Sequence, residues 1–150
     1  MKEINITNME EISPKHHEHN QYEYYKYEVE RNQMVTAFYT LPPGKSNYPF
    51  HYHTANEEVF YVISGSGILE TLNGNRTIKA GDIVVCPVGK EGAHKITNNS
   101  ETENLVYLDV DTNQAPEIAY YPHSNKLGVR AAGIYDNFNL DSKIDYYDGE

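Results

Sequence analysis

What most constrains this chain is a train of short apolar alternations, each cut off by turn residues. Tyr25, Tyr27 and Val29 recur with period two in the run from Tyr22 to Val29, and a second run goes from Met34 to Thr40. Residues i and i+2 of an extended chain share a face, so this spacing reads as half-buried strand. Arg31-Asn32 offers a turn between the two runs, and Pro42-Pro43-Gly44 stops the second. Further runs follow at close intervals: Glu58 to Ile63, Ile68 to Leu72, Arg76 to Lys79, Ile83 to Cys86, His94 to Thr97 and Leu105 to Val110. Asn73-Gly74 is a strong hairpin signal; Ala80-Gly81-Asp82, Pro87-Val88-Gly89 and Asn98-Asn99-Ser100 separate the others. No stretch carries a helical period with caps. The expected fold is all-β with little helix, a sandwich or barrel.

At 150 residues the chain fits one domain with its own core, and no Pro/Gly/Ser-rich linker divides it. A formal net charge of −10 argues against nucleic acid and against an anionic membrane surface, since both want clustered Lys and Arg. A lone cysteine, Cys86, excludes an intrachain disulfide and suits a reducing compartment. Met1-Lys2-Glu3-Ile4-Asn5 lacks the apolar stretch of a signal peptide, and no run approaches transmembrane length, so a cytoplasmic location is expected. Fourteen tyrosines with no tryptophan suit half-buried strands and subunit contacts. Cys86 sits in an apolar run with no visible base, and reads as buried and inert.

The chemistry-bearing residues begin with His51-Tyr52-His53. In extended backbone their side chains share a face with Cα atoms roughly 6.5 Å apart, so two imidazoles can converge on one ion. By itself such a pair is equally at home in a polar loop. Glu58 opens the next run and shares parity with Phe60 and Val62, which places a carboxylate on an apolar face; Glu57 points the other way. A buried carboxylate needs a partner, and a metal would supply one. His94 precedes another run and shares parity with Ile96. His16-His17-Glu18-His19 offers a rival cluster, but no framing glycine supports it and it reads as part of a solvated arm.

Two longer patterns join these residues. Gly44-x6-His51-x-His53-x4-Glu58-x6-Gly65 resembles the first cupin motif, and Gly81-x5-Pro87-x-Gly89-x4-His94-x3-Asn98 resembles the second. The resemblance covers about residues 41 to 110. Six residues rather than five precede His51, and four rather than two separate Gly89 from His94; both extras fall in loops. The resemblance implies a double-stranded β-helix, the cupin jelly-roll barrel, with His51, His53, Glu58 and His94 pointing inward as ligands to one divalent metal ion. It divides the chain into a polar N-terminal arm (1–20), the barrel (21–120) and a C-terminal extension packing on the barrel (121–150). Tyr121-Pro122, Ser124, Lys126 and the closing Tyr147-Asp148-Gly149-Glu150 are similar to the tail of bacterial single-domain cupins, some labelled sugar-phosphate isomerases.

Three neutral imidazoles and one carboxylate would close a tetrahedral Zn(II) but leave two positions open on six-coordinate Fe(II), Mn(II), Ni(II) or Co(II). The expected function is action on a small oxygen-rich metabolite at a 3-His/1-Glu site inside an apolar barrel, as a dioxygenase, isomerase or decarboxylase. The alternative is a non-catalytic module that binds or senses a sugar or carboxylate. A transcription regulator is disfavoured, since no helix-turn-helix segment is visible. No general acid or base is placed by a motif. Either Tyr107 and Asp109 or Val106 and Leu108 face the cavity, and parity does not choose between them. A homodimer is expected, from the aromatic surface of the run Tyr22 to Val29.

Overall fold

A computed structural model describes residues 4–150. Each predicted alternation is a strand, with bounds moved by one or two residues. They are β1 (Lys15–His19), β2 (Tyr22–Arg31), β3 (Met34–Leu41), β4 (Tyr52–His53), β5 (Glu58–Ser64), β6 (Ser66–Thr71) and β7 (Gly74–Lys79), then β8 (Ile83–Cys86), β9 (His94–Asn98) and β10 (Leu105–Thr112). The tail adds β11 (Glu117–Tyr121), β12 (Lys126–Ala131) and β13 (Ile134–Asn139). Helix among the described residues is limited to three single 3-10 turns.

The strands pair antiparallel into three sheets, in the orders β1-β2-β3-β10-β5-β8, β7-β6-β9 and β13-β12-β11-β4. The first two sheets enclose the core. Tyr24, Ala37, Tyr39 and Leu41 come from β2 and β3, Phe60, Val62 and Tyr107 from β5 and β10, and Leu69, Ile78 and Ile96 from the smaller sheet. Burial follows the period of two: on β5, Glu58, Phe60 and Val62 are buried, and on β9, His94, Ile96 and Asn98. This is the expected double-stranded β-helix.

Two glycines are required by close approach. A Cβ on Gly65, where φ is +80°, would lie 2.3 Å from the Asn104 carbonyl oxygen. One on Gly92 would lie 1.8 Å from the Pro87 carbonyl oxygen, which no side chain tolerates.

Three expectations need correction. The hairpin at Asn73-Gly74 exists, but Thr71 pairs with Gly74, so Leu72-Asn73 makes the connection. Gly74 supplies its positive φ of +103° at the entry to β7 instead. The turn after β2 likewise lies one residue later, because Arg31 still pairs with Val35. The N-terminal arm is not wholly loose: its last residues form β1, hydrogen-bonded along β2. The backbone edge of β2 would otherwise lack partners, and His16 and His17 add stacking on Tyr25 and Tyr24. Met1, Lys2 and Glu3 lie outside the described residues. The extension 121–150 continues the third sheet through the β12–β13 hairpin.

Candidate metal centre

His51 and His94 meet because their backbones pair. His51 N–H donates to the His94 carbonyl at 3.1 Å and His94 N–H to the His51 carbonyl at 2.9 Å, an isolated bridge that clamps one motif onto the other. Both rings are fixed by one device. His51 Nδ1 donates to the Pro49 carbonyl at 2.8 Å, and His94 Nδ1 to the Gly92 carbonyl at 2.9 Å. A carbonyl can only accept, so each Nδ1 carries a proton and Nε2 is the ring nitrogen left to face an ion. That is the ring orientation a metal ligand needs.

His53 enters from β4 and lies between two carboxylates. Its Nε2 is 3.3 Å from Glu58 Oε1, and its Nδ1 is 3.4 Å from Glu117 Oε1. Glu58 reaches the other way as well, its Oε2 being 3.4 Å from His94 Nε2. Ligand atoms of His51, His53 and Glu58 all lie within 4.8 Å of one another, close enough to hold one ion. Thus the three histidines singled out in the sequence gather around Glu58, and His51, His53 and Glu58 form the tightest group.

Charge in this cluster is balanced internally. Burial works against a charged His53, yet its contacts with Glu117 and Glu58 outweigh that and push it up to about 10. Burial likewise opposes an ionised Glu58, but His53, then the charges of His94 and His51, bring it down to about 2. His51 goes the opposite way: burial, then the neighbouring His94, lower it to about 4 despite Glu58. A carboxylate, a neutral ring and an imidazolium that a metal ion can deprotonate make a donor set that fits a divalent cation.

The site opens into a cavity of about 180 Å³. Its walls correct the expectation of an apolar barrel interior. Beside the histidines and Glu58 stand Lys26, Tyr39, Tyr48, Asn56, Asp109, Asp111, Tyr121 and Arg130. Strand β10 settles the question parity left open, since Tyr107 and Asp109 are buried and Val106 and Leu108 are only half-buried. Burial, then the charge of Asp111 and a hydrogen bond with it, raises Asp109 well above the usual carboxylate range; burial raises Asp111 to about 6, with Glu58 adding to it and the hydrogen bond with Asp109 opposing it. A larger groove of about 460 Å³ runs between β7 and β8 and touches His94, but no imidazole–carboxylate cluster lines it.

Residues 37–111 match the cupin domain family, half of the sequence. The chain belongs to the cupins. The oxalate-binding protein of Thermotoga maritima is 31% identical to this cupin over 68 residues, 45% of this chain and 55% of that protein. The chain therefore spans about half the length of that curated relative. Among solved structures, a candidate sugar phosphate isomerase from Acidithiobacillus ferrooxidans shares 27% identity with a TM-score of 0.71, over 81% of this chain and 80% of that one. A cupin-superfamily sugar phosphate isomerase from Silicibacter pomeroyi superposes with a TM-score of 0.82 over 96% and 98% of the chains; at 18% identity it speaks for the fold alone. A predicted oxalate decarboxylase from Thermotoga maritima gives 0.65 at 25% identity, over 73% of this chain and all of that one.

Sequence reasoning missed Glu117. It is almost fully buried at the start of β11, accepting from the backbone N–H groups of Thr54 at 2.9 Å and Ala55 at 3.2 Å and from the Asn56 amide. Burial alone would raise it; His53 and these donors hold it below the usual range. Its parity with Ala119 and Tyr121 was the available signal, but no motif drew attention to it. The rival cluster stays outside: His16, His17 and His19 lie on an exposed edge strand, with His16 Nε2 3.3 Å from Glu23. Cys86 is buried and its thiol is pushed up to about 12, burial first and Glu58 second, so it is inert as read.

Proposed function

We propose that this cupin is an enzyme acting on a small oxygen-rich metabolite at one divalent ion, Fe, Mn, Ni, Co or Zn, held by His51, His53, Glu58 and His94. The observation that carries this reading is the double fixing of His51 and His94 through Nδ1, which leaves Nε2 of each ring for an ion beside Glu58, with ligand atoms of His51, His53 and Glu58 within 4.8 Å of one another. Glu117 behind His53 completes the pattern of a ligand ring oriented by a carboxylate. A divalent ion at this place supplies Lewis-acid polarisation to a coordinated ligand oxygen. The protein contributes a confined cavity, with Asp109 and Asp111 as carboxyl groups and Lys26 as an ammonium beside it. These are the acid–base groups that no motif located, and they support an isomerase, decarboxylase or dioxygenase over passive binding.

A non-catalytic binding module is the second reading. It is favoured by the oxalate-binding relative, whose matched region includes no more than about half of either chain. The two separate in one experiment. The protein is loaded with Fe(II), Mn(II), Ni(II), Co(II) or Zn(II) in turn and screened against sugar phosphates, hydroxy acids, diketones and dicarboxylates. Turnover with one ion, lost in Glu58→Gln and in His94→Ala, supports the enzyme. A ligand recovered unchanged with every ion, oxygen being present, supports the binding module.

A further inference from the structure

Asp109 and Asp111 stand two residues apart on β10 with both side chains lining the cavity. Strand register sets Asp111 opposite Glu58 and Asp109 opposite Phe60, so the pair lies alongside the metal-binding group rather than within it. Asp109 is only 5% exposed. The two carboxyls hydrogen-bond to one another, which occupies a proton between them, yet Oδ1 of each is buried without a partner. An unpartnered carboxyl oxygen under such burial is costly, and it persists where something outside the chain supplies the donor. No backbone N–H does so here. Two cations of β2 line the cavity, Lys26 and Arg31; both pair with Glu28, at 3.7 Å and 3.6 Å, so that Lys26 acts on Asp109 and Asp111 through its charge alone.

Another part of the cavity lining has the complementary character. Arg130 on β12 is the register neighbour of Glu117 and so faces the same cavity. Glu117 is occupied by His53, Thr54, Ala55 and Asn56, and among the described residues Arg130 has no ion-pair partner. One part of the lining thus lacks donors and another holds an unmatched cation.

Resting on the metal-centre reading above, we propose that Asp109 and Asp111 accept hydrogen bonds from hydroxyl groups of the ligand, whose class is therefore a polyhydroxylated anion. Its charged end lies within reach of the metal and Arg130, and its hydroxyls satisfy the two orphan oxygens. A dicarboxylate without hydroxyls offers only acceptors, and would leave Oδ1 of Asp109 and of Asp111 without a donor. The proposal thus separates this cupin's ligand from oxalate on chemical grounds.

The test compares gluconate with 2-hydroxyhexanoate, which has the same charge and the same α-hydroxy carboxylate end but lacks the remaining hydroxyls. Mn(II) alone is titrated first into the wild type, into Asp109→Asn/Asp111→Asn and into Asp109→Val, to establish metal uptake. Both acids are then titrated into the Mn(II)-loaded proteins. Two hydrogen bonds gained by buried, otherwise unpartnered acceptors predict that the wild type prefers gluconate by about ten-fold or more. In the double variant the ratio falls below about three, and in Asp109→Val it falls likewise, while Mn(II) binding persists. Equal affinities in the wild type, or a ratio untouched in both variants, overturn the proposal. So does failure of a Mn(II)-loaded wild type to bind either acid, which leaves the metal centre standing. A wild type that takes up no Mn(II) in the first titration overturns the metal centre, and this proposal with it.

Discussion

The buried neutral ring of His51 makes a prediction about acid stability that needs no metal. In the unfolded chain this imidazole takes a proton near 6.5, whereas in the fold burial and His94 hold it to about 4. The folded state therefore binds fewer protons than the unfolded one across that interval. The associated stability is complete above 6.5 and is lost as pH falls towards 4. At roughly 1.4 kcal/mol per pH unit, about 2 kcal/mol has gone at pH 5. Asp111 opposes this, since a carboxyl raised to about 6 stabilises the fold on the acid side and loses that contribution as pH rises through 6. The wild-type curve alone is thus a sum of opposed effects, and a variant isolates the histidine. His51→Gln keeps a polar, uncharged side chain that does not titrate. Urea melts of metal-free protein, at fixed concentration with chelator present, are compared at pH 7 and pH 5. Wild type should lose about 2 kcal/mol more than His51→Gln between them. The same pH dependence in both would refute the reasoning, because it would mean that the ring is not held neutral in the fold.

Gly92→Ala should destabilise the protein by about 2–3 kcal/mol and weaken metal uptake, because its Cβ displaces the loop whose carbonyl orients His94; thermal melts and metal titration read both effects. Glu117→Gln should lower the melting temperature, because its amide NH2 faces the Thr54, Ala55 and Asn56 donors, and should lower metal affinity by about 10- to 100-fold through loss of the carboxylate behind His53; an affinity equal to wild type would show that His53 needs no such partner. A homodimer is expected, with Ile83 and Val85 of edge strand β8 at its interface, since they are 66% and 62% exposed and lie beside Tyr61 and Ile63. Sedimentation at micromolar concentration should show a dimer in wild type and the 17.2 kDa chain in Ile83→Lys; a wild-type monomer would contradict it.

Much of this was legible beforehand because both fold and ligand set are written in local spacing. Period two placed Glu58 with Phe60 and Val62, and the burial of β5 follows it residue by residue. Of the glycines framing the histidines, Gly65 marks a close backbone approach and Gly44, Gly81 and Gly89 positions of positive φ, whereas the tight approach at Gly92 had no motif to announce it. What could not be read comes from residues joined only by strand pairing. Asp111 meets Glu58 across a gap of more than fifty residues, and Glu117 meets His53 across a similar one. Neither pair has a spacing rule, because sheet order rather than sequence sets it. The strand from Tyr22 presents less aromatic surface than its sequence suggests, because it is interior to its sheet with Tyr24 buried against Tyr39 and Tyr48, whereas Ile83 and Val85 of β8 are exposed. His16 and His17 read as solvated because their side chains are, although their backbone is paired.

The central claim is that one ion sits on His51, His53, Glu58 and His94. Anomalous scattering from a crystal grown with Co(II) measures this most directly. The account predicts one strong peak per chain at coordination distance, about 2.0–2.3 Å, from an Nε2 of each histidine and from a Glu58 oxygen. A peak on the His16, His17 and His19 strand, or none within the barrel of a protein that takes up Co(II), would contradict it.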